Sequence, residues 1–181
     1  MRKNIGKKMI VTPQPVLMIG TYDVNGIPNM MNAAWGCQIE PDQVLISLSE
    51  HKTTDNLRLK KEFTLSFATV DTMLISDYFG VESGRRVNKI EKSKVHVEKA
   101  EFVDAPIILE YPLTVECKVV SLNDGILIGE VVNTNADESI LTDGKVDLSK
   151  LKPIIFDAMS NTYRSVGEVV GKAFFDGLKL K

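Results

Sequence analysis

Only two cysteines, two histidines and one tryptophan occur in the 181 residues. Cys37 and Cys117 are far apart and show no metal-type spacing. A disulfide framework and a structural metal site are therefore not expected, and both thiols read as buried in a reducing cytosol. His96 sits in the alternating, exposed-looking run "KVHVEK", and His51 in a polar turn. A Cys–His nucleophilic pair stays an open alternative. No stretch approaches the roughly 20 apolar residues of a membrane span. The basic N-terminal stretch has its apolar run broken by Pro13 and Pro15, a poor leader, so a cytoplasmic protein is expected.

Charge of one sign is also missing. The net charge is −2, and the basic clusters "RLKK" and "GRR" are short. Neither nucleic acid nor an anionic membrane is thus an expected partner. The chain has no Walker loop, no "GxGxxG" after a strand and no "GxSxG". It also has no internal repeat and no low-complexity tract.

What remains is an ordinary globular composition, 44% apolar and 25% charged, read as a single domain over residues 1–181. The stretch "PVLMIGTYDVNGIPNMMNAAWGCQIEPDQVLISLSE" reads as three strands: Pro15 to Tyr22, Asn29 to Ile39, and "VLISLS". Asn25-Gly26 supplies the first turn and "EPDQ" the second. "TTDNLRLKKEF" reads as a helix with threonine at its N-cap, and "FTLSFAT" as a strand. "DTMLISDYFG" reads as a short helix closed by Gly80. The polar stretch from Val81 to Pro106 is expected to be a long excursion, with a short helix at most. "LTVECKVVSLNDGILIGEVVNTN" is the clearest hairpin, "PIIFDAM" a strand, and "YRSVGEVVGKAFFDG" a helix ended by Gly177. Antiparallel strands on short turns with few helices predict a mainly β fold, a closed or nearly closed barrel.

Three polar clusters could carry chemistry. In "NMMNAAWGCQ", Asn32, Ala33, Ala34 and Gly36 give up side-chain volume, which lets a flat ligand approach the backbone. The alternative there is a bulge or close sheet packing, and Trp35 could stack on a ring or belong to the core. In "SEHKTTDNL" a helix N-terminus offers unpaired amides and a positive dipole end. Thr53 and Thr54 add hydroxyls there, Lys52 a charge and His51 a donor, although plain capping needs one threonine. In "SGRRVNK", Ser83, Gly84, Arg85, Arg86 and Lys89 could form a cationic lid or a solvated loop.

Taken together and in order, "PVLMIGTYDVNGIPNMMNAAW", "EPDQVLISLSEHKTTDNL", "FTLSF", "SGRRVNK", "TVECKVV" and "GILIGEV" resemble the flavin reductase-like family of FMN-binding split barrels, which includes the flavoredoxins. The resemblance implies an antiparallel split β-barrel with a few flanking helices, dimerised as a homodimer with FMN at the interface. By position, Asn32, Ala33, Ala34 and Trp35 would follow the isoalloxazine edge and ribityl chain. Ser47 and Ser49 would approach from the next strand. His51 and Thr53 would hold the phosphate, with Lys52, Thr54 and Lys89 beside them.

The resemblance further implies hydride transfer from NAD(P)H through FMN to a flavin, ferric or protein acceptor, with no catalytic side chain required. Arg85, Arg86 and Lys89 would attract the nicotinamide phosphates. Three departures stand out. His51 replaces a frequent arginine. Asn88 and Ile90 replace the acid and aromatic of the family's "DKF". The "NDG" turn lacks a histidine that many reductase relatives carry. These departures leave open a flavoredoxin-like electron carrier with little NAD(P)H turnover, or a non-catalytic flavin- or haem-binding module.

Overall fold

The segment read as one strand from Asn29 to Ile39 is two strands that lie at opposite edges of one sheet. This computed structural model describes residues 1–8 and 11–181. Met9 and Ile10, part of the run interrupted by Pro13 and Pro15, lie outside the described residues. After β1 (Gln14–Pro15) come β2 (Leu17–Tyr22), β3 (Pro28–Ala33), β4 (Gly36–Glu40) and β5 (Gln43–Ser47). Helix α1 (Lys52–Lys60), β6 (Glu62–Phe67), α2 (Met73–Val81), α3 (Lys89–Ser93), β7 (Val97–Lys99) and β8 (Pro106–Ile108) follow. The chain continues through β9 (Leu113–Asn123), β10 (Ile126–Ala136), β11 (Leu141–Thr142), β12 (Lys145–Val146), α4 (Leu148–Leu151), β13 (Ile154–Asp157) and β14 (Thr162–Ser165).

The main sheet is antiparallel, in the order β3-β2-β6-β9-β10-β5-β4. Ala34 and Trp35 carry the chain from one edge strand to the other, so the sheet curls into a half-barrel. The crossing needs Gly36, where a Cβ would lie 2.8 Å from Leu17 Cδ1 on β2 and 3.0 Å from the Leu45 carbonyl oxygen. The predicted turns are in place. Gly26 takes φ +74°, and Asp124 and Gly125 both take positive φ, the backbone of a tight two-residue hairpin turn.

Strand β2 shows how the core is layered. Leu17 and Ile19 point into the barrel with Met31, Ile46, Phe63, Leu65 and Leu127. Met18 points the other way, into a second core with Met30, Phe79, Ile90, Ile108 and Ile154 under α2 and α3. With both faces covered, β2 is buried continuously from Leu17 to Thr21 instead of on alternate residues.

Other expectations are corrected. His51, in extended backbone, is the N-cap of α1 instead of a threonine. Gly80 lies inside α2, which runs on to Val81, and does not close it; it is the room needed by Asn32 that calls for glycine, since a Cβ there would meet the Asn32 side chain at 2.5 to 2.7 Å. The excursion carries α3 and the β7–β8 hairpin as well as loop. The C-terminal helix is absent. Its first residues form β14, which pairs with β13 from Ile154↔Ser165 to Asp157↔Thr162. Beyond it, valines and two glycines make poor helix formers, and Val169 and Val170 are 93% and 101% exposed within this chain. Cys37 is exposed on edge strand β4, not buried, whereas Cys117 is buried in the barrel. Among the described residues, no helix is long and apolar enough to cross a membrane.

Candidate functional site

The α1 N-terminus uses its two threonines differently. Thr54 is spent on the cap. Its Oγ1 accepts from the His51 amide at 2.7 Å and donates to the His51 carbonyl at 2.7 Å. It is buried and is not among the residues lining the two cavities of the trough described below, so this placement does not support its expected ligand contact. Thr53 Oγ1 accepts from the Asn29 side-chain amide at 2.8 Å, which leaves its own hydrogen free to donate into the space in front of the helix. The first-turn amides, lacking intrahelical acceptors, face the same way.

That space is a cleft of about 290 Å³ lined by Asn29, Asn32, His51, Lys52, Thr53, Gly80, Ser83, Gly84 and Lys89, among others. Two glycines keep its wall open. A Cβ at Gly84 would collide with Asn29 Oδ1, and one at Gly80 with the Asn32 amide. Lys52 is not a free cation, because its Nζ meets Asp23 Oδ2 at 3.2 Å. Burial pushes the Asp23 carboxyl up, but the amides of Ile27 and Asn25 together with Lys52 outweigh it and hold the group below the usual carboxylate range.

Lys89 is the buried cation of the cleft, 4% exposed. It donates to the Phe79 carbonyl at 2.8 Å and stands 5.8 Å from the Phe79 ring centroid. Burial pulls the ammonium down to about 8, against some help from Glu82. Arg85 and Arg86 are apart from it. Each is exposed and paired, Arg85 with Asp55 at 2.7 Å and Arg86 with Glu82 at 3.2 Å.

A second cavity of about 260 Å³ continues from the first, sharing Met31, Asn32 and His51 with it. Ala33, Ala34, Trp35, Ser47 and Ser49 line it, so small side chains form its floor as the sequence suggests. The backbone break at Ala34–Trp35 holds it open, with the Trp35 carbonyl still accepting from the Ser47 amide at 2.7 Å. Trp35 is 53% exposed, a wall of the trough and not core.

Sequence reasoning missed Asn29, Gly80 and Phe156 as site residues. Phe156 comes from β13, more than a hundred residues after Trp35, and meets the tryptophan ring edge-on at 6.3 Å between centroids. No local pattern marks it. Neither histidine serves a cysteine, since His51 caps α1 and His96 Nδ1 pairs with Glu110 at 2.9 Å. Burial pushes the Cys117 thiol up to about 12. Among the described residues no group of three His, Cys, Asp or Glu side chains could hold a metal.

Residues 9–152 match the model of the flavin reductase like domain. The flavoredoxin of Desulfovibrio vulgaris (Miyazaki F) is 33% identical, with a TM-score of 0.93 over 98% of this chain and 100% of that one. Flavoredoxin from Methanosarcina acetivorans is 26% identical, with a TM-score of 0.90 over 100% of both chains. An FMN-binding domain of a flavin reductases-like enzyme from Shewanella baltica OS155 shares the fold. Its TM-score is 0.78 at 20% identity, over 88% of this chain and 89% of that one.

Proposed function

This chain belongs to the flavin reductase-like family, and from that premise we propose that it is an oxidoreductase working through noncovalently held FMN. The observation that carries the reading is the trough. One end is a helix terminus with a hydroxyl and a buried ammonium, and the other a small-residue floor beside a tryptophan. This donor set suits a phosphate at one end and a flat ring at the other. When bound, FMN would supply hydride and electron chemistry at its ring.

The chain's own residues bind and orient. Thr53 donates its hydroxyl, and the first-turn amides and Lys89 carry the phosphate charge, with His51 and Lys52 at the rim. Asn32, Ala33, Ala34, Trp35, Ser47 and Ser49 line the ring's berth. Gly80 and Gly84 keep the wall clear. Thr54 serves only the helix cap. No side chain need move a proton.

Electrons would come from NAD(P)H and leave to a flavin, ferric or protein acceptor. A homodimer would cover the trough's exposed rim and the apolar C-terminal tail, within a cytoplasmic setting. A second reading, an electron carrier with little NAD(P)H turnover, is favoured by one observation: Arg85 and Arg86 are already occupied by carboxylates. Mixing FMN-loaded protein rapidly with NADH and with NADPH separates the two. Flavin bleaching within seconds supports the reductase, and an unchanged flavin band supports the carrier. A protein that fails to take up FMN at all refutes both.

A further inference from the structure

The matched family domain ends at residue 152, yet the hairpin β13–β14 beyond it reaches the trough. Its anchoring is firm. The Ile154 amide donates to the Ala68 carbonyl at 3.0 Å, and Tyr163 Oη donates to Asp77 Oδ1 on α2 at 2.8 Å. Phe156 thereby becomes the middle of three successive rings, 6.3 Å from Trp35 and 6.1 Å from Tyr163. Phe156 and Tyr163 also close a nook of about 140 Å³ against Val16, Asn32, Ala33 and Ala34. Through Phe156, Asn32 and the two alanines it is continuous with the ring end of the trough.

The nook's charge selects its occupant. It has apolar and aromatic walls, one amide, and one phenol that burial and Asp77 push up to about 12, so that phenol stays protonated. The Asp77 carboxylate behind it disfavours anions. No cationic side chain lines it, and both arginines of the nearby loop are paired elsewhere.

We propose that the β13–β14 hairpin builds a subsite for an uncharged flat ring compound, for which duroquinone is the probe, held against Phe156 and Tyr163 beside the flavin. The proposal rests on the FMN reading and adds to it the chemical class of the second ligand. Aromatic rings offer edge-to-face and stacked contact to a flat ring. A nicotinamide mononucleotide would bring its phosphate to a place that has no cation for it.

The test is calorimetric titration of FMN-saturated protein with duroquinone and, separately, with oxidised nicotinamide mononucleotide. Phe156→Ala and Phe156→Leu are titrated alongside, with melting transitions to verify folding. The leucine variant keeps apolar volume without the ring. Duroquinone is expected to bind at least about tenfold tighter than the mononucleotide, and both variants, each saturated with FMN, to weaken it by roughly tenfold. Equal or tighter mononucleotide binding overturns the proposal. So does an unchanged duroquinone affinity in a folded variant, or a loss confined to FMN, which would make Phe156 part of the flavin's own berth. Failure of the wild-type protein to saturate with FMN sinks the underlying reading instead, and the FMN titration records that outcome separately.

Discussion

Lys89 donates to the carbonyl oxygen of Phe79 at 2.8 Å, so a buried ammonium on the floor of the cleft is held by a neutral group instead of a carboxylate. Desolvation leaves it destabilised in its charged form, with the value pulled down to about 8. Such a group wants an anion that the fold itself does not provide.

Lys89→Met should therefore move two measurements in opposite directions. In the unfolded chain the lysine keeps its ordinary, higher value, so the folded state binds fewer protons between about pH 8 and pH 10.5. Wild-type stability without FMN is expected to rise with pH through that window, by up to about 3 kcal/mol. The variant loses that slope and melts higher at pH 7. Its FMN affinity falls by at least about tenfold. Chemical denaturation at several pH values and a flavin titration check both halves. A wild-type stability that is flat through the window would count against the account.

FMN affinity of the wild-type protein should also weaken as pH rises past about 8, because the phosphate binds the protonated amine. Fluorescence titration between pH 7 and pH 9.5 reads this directly. The Lys89→Met protein should show a flatter profile over the same range.

Gly84→Ala should disturb the cleft wall from a distance. Its Cβ would displace Asn29 Oδ1, and Asn29 could yield only by giving up its 2.8 Å bond to Thr53. A stability loss of about 1 to 2 kcal/mol and weaker FMN binding are expected. Gly167→Ala, where nothing lies within 4 Å, should leave both unchanged. Thermal melts of the two variants give the comparison.

Glu116 should govern acid stability. It is fully buried and accepts from the Phe102 amide at 2.7 Å, Asn133 at 2.9 Å and Asn135 at 2.7 Å. Burial raises its carboxyl, but these donors prevail and hold it below its usual range. The lowered value means its stabilisation is present at neutral pH and is lost as pH falls below the usual carboxylate range, through the folded value. Glu116→Ala is expected to cost about 2 to 4 kcal/mol at pH 7 and to flatten the acid limb of the stability curve. Urea denaturation at pH 7 and pH 4 measures it.

Much of the site could be read in the sequence because the residues that form each end of the trough are contiguous in it. Asn32 to Trp35 stand in one run and His51 to Thr53 in another. The β9–β10 hairpin was legible because Asp124-Gly125 can adopt positive φ cheaply. The break between β3 and β4 was not, since Ala34 and Trp35 carry no breaker signal and only barrel closure separates the two strands. The expected C-terminal helix over "YRSVGEVVGKAFFDG" does not form, because its first residues pair as β14 and Val166, Val169 and Val170 beyond them stay exposed in this chain. Phe156 could not be found from sequence at all, because its contact with Trp35 depends on where β13 returns.

The phosphate of FMN is expected at the α1 N-terminus. Titration of wild type and Thr53→Ala with FMN and with riboflavin tests this placement most directly, because only FMN carries the anion. FMN binding is expected to weaken by about 10- to 100-fold in the variant and riboflavin binding by no more than about twofold. An equal loss for both ligands would contradict it.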